Sequence, residues 1–220
     1  MNRFENLLSY LYPIVIERTE SEVNPILEVV FQDGKYMLNS SNTNYSYGGL
    51  YELFKQVFKN VSIDWSKVQR ALILGFGAGC TVPLIQQYQP NCAIVGVEVD
   101  GKVIELGKKY FNLDKLVNTK VIVSSAYGYI NSSTEKYDLI IIDIFVDVNV
   151  PKEVETKGFL IPLKNLLNEN GLVIFNKLMP TKSYKKHIPE LKNIFEEVFG
   201  NVKLYQFMGT GQIFVSIKKY

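Results

Sequence analysis

The chain has a single histidine and two cysteines, and the chemistry those residues usually serve is correspondingly restricted. Without a close-spaced Cys or His set, no metal site is expected. Cys80 and Cys92 are too few for a disulfide framework and read as reduced thiols, with Cys80 a small packing residue. No apolar run reaches the length of a membrane span and no signal-peptide pattern opens the chain, so a cytoplasmic protein is expected. Neither sign of charge is in excess. There are 24 Lys plus Arg against 22 Asp plus Glu, and a net charge of +2 leaves no footprint for nucleic acid. Repeats and low-complexity segments are absent too. The expected partner is a small-molecule substrate, with neither nucleic acid nor membrane; a second copy of the chain, in a homodimer, is kept open.

What is present is core-forming material: 47% of the 220 residues are hydrophobic. "YPIVIER", "PILEVVFQ" and "KYMLNS" read as short strands, with Asp33-Gly34 a tight hairpin turn. "GLYELFKQVFKN" places Leu50, Leu53, Phe54, Val57 and Phe58 on one helical stripe. Residues 1–60 are therefore expected to form an amino-terminal β-hairpin element plus a helix, and residues 61–220 a cofactor-binding domain. From residue 70 strands alternate with helices. "RALILGF", "CAIVGVEV", "KVIVSS", "YDLIIIDIF" and "LVIFNK" are the strands; the helix "GFLIPLKNLLNEN" is expected to close at Gly171. Alternation implies a parallel sheet covered on both faces. The chain ends in "NVKLYQFM" and "QIFVSIKK", joined by so few residues that they must form an antiparallel hairpin. The expected fold class is α/β, a doubly wound, Rossmann-like sheet with a terminal antiparallel hairpin. That is the architecture of class I methyltransferases.

The first strand of such a sheet runs into the glycines of "GFGAG", Gly75, Gly77 and Gly79. A glycine loop at the carboxyl end of a strand lets a ligand approach bare main chain. The dinucleotide fingerprint has its third glycine one position later, where this chain has Cys80. The spacing here resembles an S-adenosylmethionine loop instead. Glu98, at the end of the second strand, is placed to accept from a ribose diol, with Val99 against the adenine face and Asp100 capping the next helix. Asp143, delivered by "LIIID" to the end of the fourth strand, is the candidate catalytic acid: it can neutralise a sulfonium, orient an amine or take its proton. Tyr45, Tyr47 and Tyr51 are candidates for an aromatic wall around an acceptor. His187 reads as a solvated helix-start residue, and Asn176 and Lys177 stay unassigned at the cleft rim.

These segments resemble the spermidine synthase-like branch of the S-adenosylmethionine-dependent transferase superfamily over roughly residues 30 to 180. "LILGFGAGCTVPLI", "VGVEVDGKVIELGKKYF" and "YDLIIIDIFVDVNVP" carry the resemblance. It implies that Glu98 holds the ribose of S-adenosylmethionine or its decarboxylated form. It further implies that Ser125 and Ala126 lie where the family reads Asp-Ala against the adenine. In the family's D-x-x-D-P motif Asp143 keeps the first position, while Asp147 comes one residue late as a substrate-side acid and the proline waits until Pro151. Tyr47 and Tyr51 fall in the polyamine-holding stretch, which here has no His and no acid before Glu52. A polyamine needs several carboxylates to replace its lost hydration. Methyl transfer to a small molecule is therefore expected ahead of aminopropyl transfer, with a non-catalytic cofactor-fold protein as a further alternative.

Overall fold

In the computed structural model, residues 3–146, 149–178, 186–207 and 211–218 are described. A short helix α1 (Arg3–Leu8) leads into a four-stranded antiparallel sheet, β1 (Ile14–Thr19), β2 (Leu27–Gln32), β3 (Lys35–Ser40) and β4 (Asn44–Ser46), in that order. Helix α2 (Gly49–Asn60) follows. The second sheet has seven strands: β5 (Arg70–Leu74), β6 (Ala93–Glu98), β7 (Thr119–Val123), β8 (Tyr137–Ile142), β9 (Leu167–Leu178), β10 (Lys203–Phe207) and β11 (Gly211–Ile217). Its order is β10-β11-β9-β8-β5-β6-β7. The five strands β5 to β9 run parallel, and β11 enters antiparallel to both β9 and β10. The doubly wound sheet and its terminal hairpin are thus as expected from the alternation.

The hydrophobic runs explain the layering. Along β5, Ala71 and Ile73 point to one face and Leu72 and Leu74 to the other; β8 splits Leu139 and Ile141 from Ile140 and Ile142 in the same way. All eight are essentially inaccessible to solvent, because each face is covered. One cover is α2 with α3 (Thr81–Tyr88), through Phe54, Val57, Val82 and Ile85. The other is α6 (Lys157–Asn165) with α7 (Ile188–Phe199), through Phe159, Leu163, Leu191 and Phe195. Helix α2, assigned from sequence to the amino-terminal element, therefore packs as a layer of the large sheet. The small sheet docks instead on α4 (Gly101–Phe111), where Tyr36 meets Tyr110 and Phe111, and the Glu17 carboxylate accepts from Lys109 and Tyr110.

The structure adds one helix and corrects the end of another. Helix α5 (Ala126–Ser132) lies in a stretch to which the sequence reading assigns no element. Its seven residues are too few to show an apolar period. Helix α6 ends at Asn165, well before Gly171, and "LNEN" already belongs to β9. Gly171 sits in the strand because a Cβ there would lie 2.8 Å from the Asn168 carbonyl oxygen.

Strand β5 lies at the point where the sheet is built outward in both directions, toward β6 and toward β8, which opens a crevice at its carboxyl end. The turn there is set by contact within the protein. A Cβ on Gly75 would stand 2.1 Å from the Asp143 carbonyl oxygen, and Gly75 itself has φ +81°. Gly75→Ala is expected to cost at least about 3 kcal/mol, combining left-handed strain with a main-chain clash. Gly200→Ala, at φ +78° with nothing within 4 Å of the added methyl, should cost only about 1 kcal/mol. Urea unfolding of both variants checks the difference.

Candidate active site

Glu98 is the last residue of β6 and is only 2% exposed. Its Oε2 accepts from the Gly77 N–H at 2.8 Å and its Oε1 from the Asp100 N–H at 3.1 Å. Burial pushes its carboxyl up to about 7, against the pull of these two donors. Each oxygen keeps a further acceptor direction, which is what a vicinal diol requires. Asp100 caps α4 through Oδ1, which accepts from the Lys102 N–H at 2.9 Å. Its Oδ2 accepts from Asn24 Nδ2 at 2.7 Å and from the Ser21 hydroxyl, so the loop between β1 and β2 is tied to the end of β6.

Asp143 leaves β8 on the other side of the crevice. Its main-chain N–H donates to Leu74 O at 2.8 Å, which holds it level with the β5 turn. Its Oδ1 accepts from Asn176 Nδ2 at 2.9 Å, and no described residue donates to Oδ2. Burial is the main cause that lifts this carboxyl to about 7, with the charge of Glu98 adding to it. Tyr45, on β4, closes the crevice from the small sheet and packs edge-on against Phe145, 5.6 Å between ring centres. Burial first and Glu98 second hold its hydroxyl well above the ordinary phenol range. Residues lining the cleft include Tyr45, Gly75, Gly77, Glu98, Val99 and Asp143. Ser124, Ala126, Ile144 and Phe145 complete most of the wall.

The structure thus brings Gly75, Gly77, Glu98, Val99, Ala126 and Asp143 together, as the sequence suggested, and sets others apart. Gly79 lies beneath Leu116 and Phe76, outside the cleft lining. The bare main chain at Gly77 is approached by the protein itself, since an added Cβ would be 3.2 Å from Tyr45 O; Ser46 Oγ accepts from the Ala78 N–H beside it. Ser125 does not line the cleft: it caps α5, its hydroxyl accepting from the Gly128 N–H at 3.0 Å, and Ser124 takes the place at the wall. Tyr47 and Tyr51 are likewise corrected. Tyr47 stacks on Phe111 at 4.8 Å, and Tyr51 packs with the α2–α3 side of the core, so neither lines the cleft. Cys80 is buried and its thiol is pushed up to about 11, as suits a packing residue. Asp147 lies outside the described residues. Asn176, left unassigned from sequence, could have been placed by strand register. Phe175 pairs with Ile142, so the next residues along, Asn176 and Asp143, fall side by side.

A family model described as the spermine/spermidine synthase domain matches residues 57–210. The chain belongs to this family. Among curated relatives, a probable polyamine aminopropyl transferase of Bifidobacterium longum is 30% identical over 131 residues, 60% of this chain and 29% of that protein. A polyamine aminopropyltransferase of Vibrio vulnificus is 30% identical over 146 residues, 65% of this chain and 48% of that protein. The chain therefore spans no more than about half of either relative. Spermidine synthase from Thermotoga maritima superposes with a TM-score of 0.74 at 17% identity, covering 93% of this chain and 72% of that one. Human methyltransferase-like protein 13 gives 0.61 at 20% identity, covering 71% and 74%. The spermine/spermidine synthase match corrects the preference for methyl transfer. What this chain shares with a methyltransferase is the fold, while the family model and the curated relatives bear the names of polyamine and aminopropyl chemistry. Among the described residues no helix is long and apolar enough to cross a membrane.

The raised carboxyl of Asp143 has a consequence for stability. Its folded value of about 7 lies above the ordinary 3.8, so folding is favoured at low pH and loses stability as pH rises through 7. Asp143→Asn keeps an oxygen for the Asn176 donor and carries no charge. The variant is expected to melt at least ~2 °C above the parent at pH 8, with the gap closing toward pH 4. Scanning calorimetry across that range, without ligand, reads it directly.

Proposed function

We propose that the protein is an aminopropyltransferase of the spermidine synthase type. It moves the aminopropyl arm of decarboxylated S-adenosylmethionine to an amine of a polyamine-class acceptor. The observation that carries the reading is that Glu98 and Asp143, both buried, face one cleft from opposite sides of the β5 turn. The lining chemistry supports an adenosyl group: Glu98 retains acceptor capacity for two ribose hydroxyls, and Val99, Ala126 and Ile144 offer apolar wall to a planar base.

The sulfonium supplies an electrophilic carbon and a neutral thioether leaving group. Asp143 then has two tasks. Its carboxylate sits where it can orient an attacking amine through Oδ2, and it takes the proton released as the new C–N bond forms and the C–S bond breaks. An acid held near 7 is matched to that exchange at neutral pH. Charge supports the decarboxylated form. The cleft already holds two carboxylates in a dry setting, and a carboxylate on the donor would add a third like charge, whereas the decarboxylated donor brings only positive groups. The edge-on Tyr45–Phe145 pair gives the acceptor's ammonium an aromatic neighbour.

The test is release of methylthioadenosine when the protein is mixed with decarboxylated S-adenosylmethionine and putrescine or spermidine. Turnover is expected with the decarboxylated donor and not with S-adenosylmethionine, and Asp143→Asn should lower kcat/KM by roughly 100-fold or more. No release with any di- or polyamine, together with no calorimetric binding of methylthioadenosine, would falsify the proposal.

A further inference from the structure

Asn176 stands beside Asp143 at the end of β9, and its side chain is 1% exposed. Nδ2 donates to Asp143 Oδ1 at 2.9 Å. The other end of the same amide, Oδ1, is buried and has no hydrogen-bond partner among the described residues. It looks toward Gly211 of β11, where an added Cβ would lie only 3.2 Å away. An unpaired buried carbonyl is costly, and an amide placed for packing alone would have both ends satisfied. The side chain cannot relieve this by a half-turn, because that would set its oxygen against the Asp143 carboxylate. The fold tolerates a bare acceptor in order to keep one donor on one oxygen of one acid.

We propose that Asn176 is the positioning residue for Asp143, engaging Oδ1 so that Oδ2 is the oxygen left to take a proton from the cleft. The donated bond favours the charged form of Asp143 and resists the burial that favours the neutral one. The groups that face Asp143 from neighbouring elements are Glu98 of β6, Tyr45 of β4 and Cys80 at the start of α3. None of these supplies a positive charge. Lys177, next along β9, is paired with Glu155. Among the described residues that act on Asp143, the Asn176 amide is the one that holds its proton affinity down. The kinetic part of this proposal rests on the aminopropyl-transfer reading; the proton-binding part does not.

The experiment has two arms on the full chain. Infrared difference spectra follow the C=O band of buried protonated carboxyls from pH 4 to 9, and Asp143→Asn identifies which band belongs to Asp143. Asn176→Leu, of similar volume and without a donor, should move that midpoint up by about one pH unit. Asn176→Asp, isosteric and acidic, should split it into two steps that belong to the pair. In the second arm, the acid limb of kcat/KM should shift upward with the midpoint in Asn176→Leu, giving roughly tenfold lower activity at pH 6 and recovery at pH 9. A structural lesion lowers the rate equally at every pH. An unmoved midpoint in a folded Asn176→Leu or Asn176→Asp variant overturns the proposal. If the parent shows no turnover, the transfer reading fails while the infrared arm still decides the role of Asn176.

Discussion

The carboxylate of Glu98 bridges the two main-chain segments that make the cleft. By accepting from Gly77 it pins the turn after β5, and by accepting from Asp100 it pins the turn after β6. Asp100 extends the same chain of bonds to Ser21 and Asn24, so the small sheet is held to the large one through a run of buried polar contacts. Position follows from that anchor. With the small sheet fixed there, Tyr45 and Ser46 reach the glycine turn and give the cleft its roof. A buried acid with no such donors would be driven neutral. Here the backbone donors oppose the desolvation, so the acid stays poised between its two forms.

Much of this was legible because strands covered on both faces are written as unbroken apolar runs. "ALIL" and "LIII" admit few other readings, and the acid that interrupts the second run, Asp143, stands out against it. The end of β6 was legible for the same reason: Glu98 between two valines is out of place unless something there needs a carboxylate. What escaped depends on contacts between segments distant in sequence. Ser125 reads as a cleft residue only while α5 is unseen; once the helix exists, its first turn needs a cap and the hydroxyl is taken. Tyr47 and Tyr51 share a stretch with Tyr45, and only the way β4 turns into α2 decides which ring faces the crevice. Tyr47 has φ +64°, a left-handed turn that sends its ring onto Phe111 instead.

The glycines teach a narrower lesson about motif reading. Their spacing pointed to a ligand close to the main chain, yet the atoms nearest a Cβ at Gly75 are those of Asp143, and at Gly77 those of Tyr45 and Ser46. The turn is tight because the segment leaving β8 and the small sheet both press on it. A glycine there serves the site by letting Asp143 stand close to β5. The motif and the acid are therefore one feature, and neither carries its meaning without the other.

The same closeness explains why specificity for the transferred group is hard to see from the fold. A methyl and an aminopropyl donor share the adenosyl part, which is the part proposed to meet Glu98, Val99 and Ala126. What differs is the charge at the far end of the donor. Burial raises both acids toward neutrality, and the charge of Glu98 adds to it at Asp143, so ionisation of the empty site is opposed. A donor bearing only positive charge relieves that opposition on entering, and a donor bearing a carboxylate relieves it less. On the aminopropyl-transfer proposal, selection for the decarboxylated donor needs no dedicated pocket. On that proposal it follows from burying two carboxylates around one cleft, and the same burial makes the ligand-free protein lose stability as the pH rises.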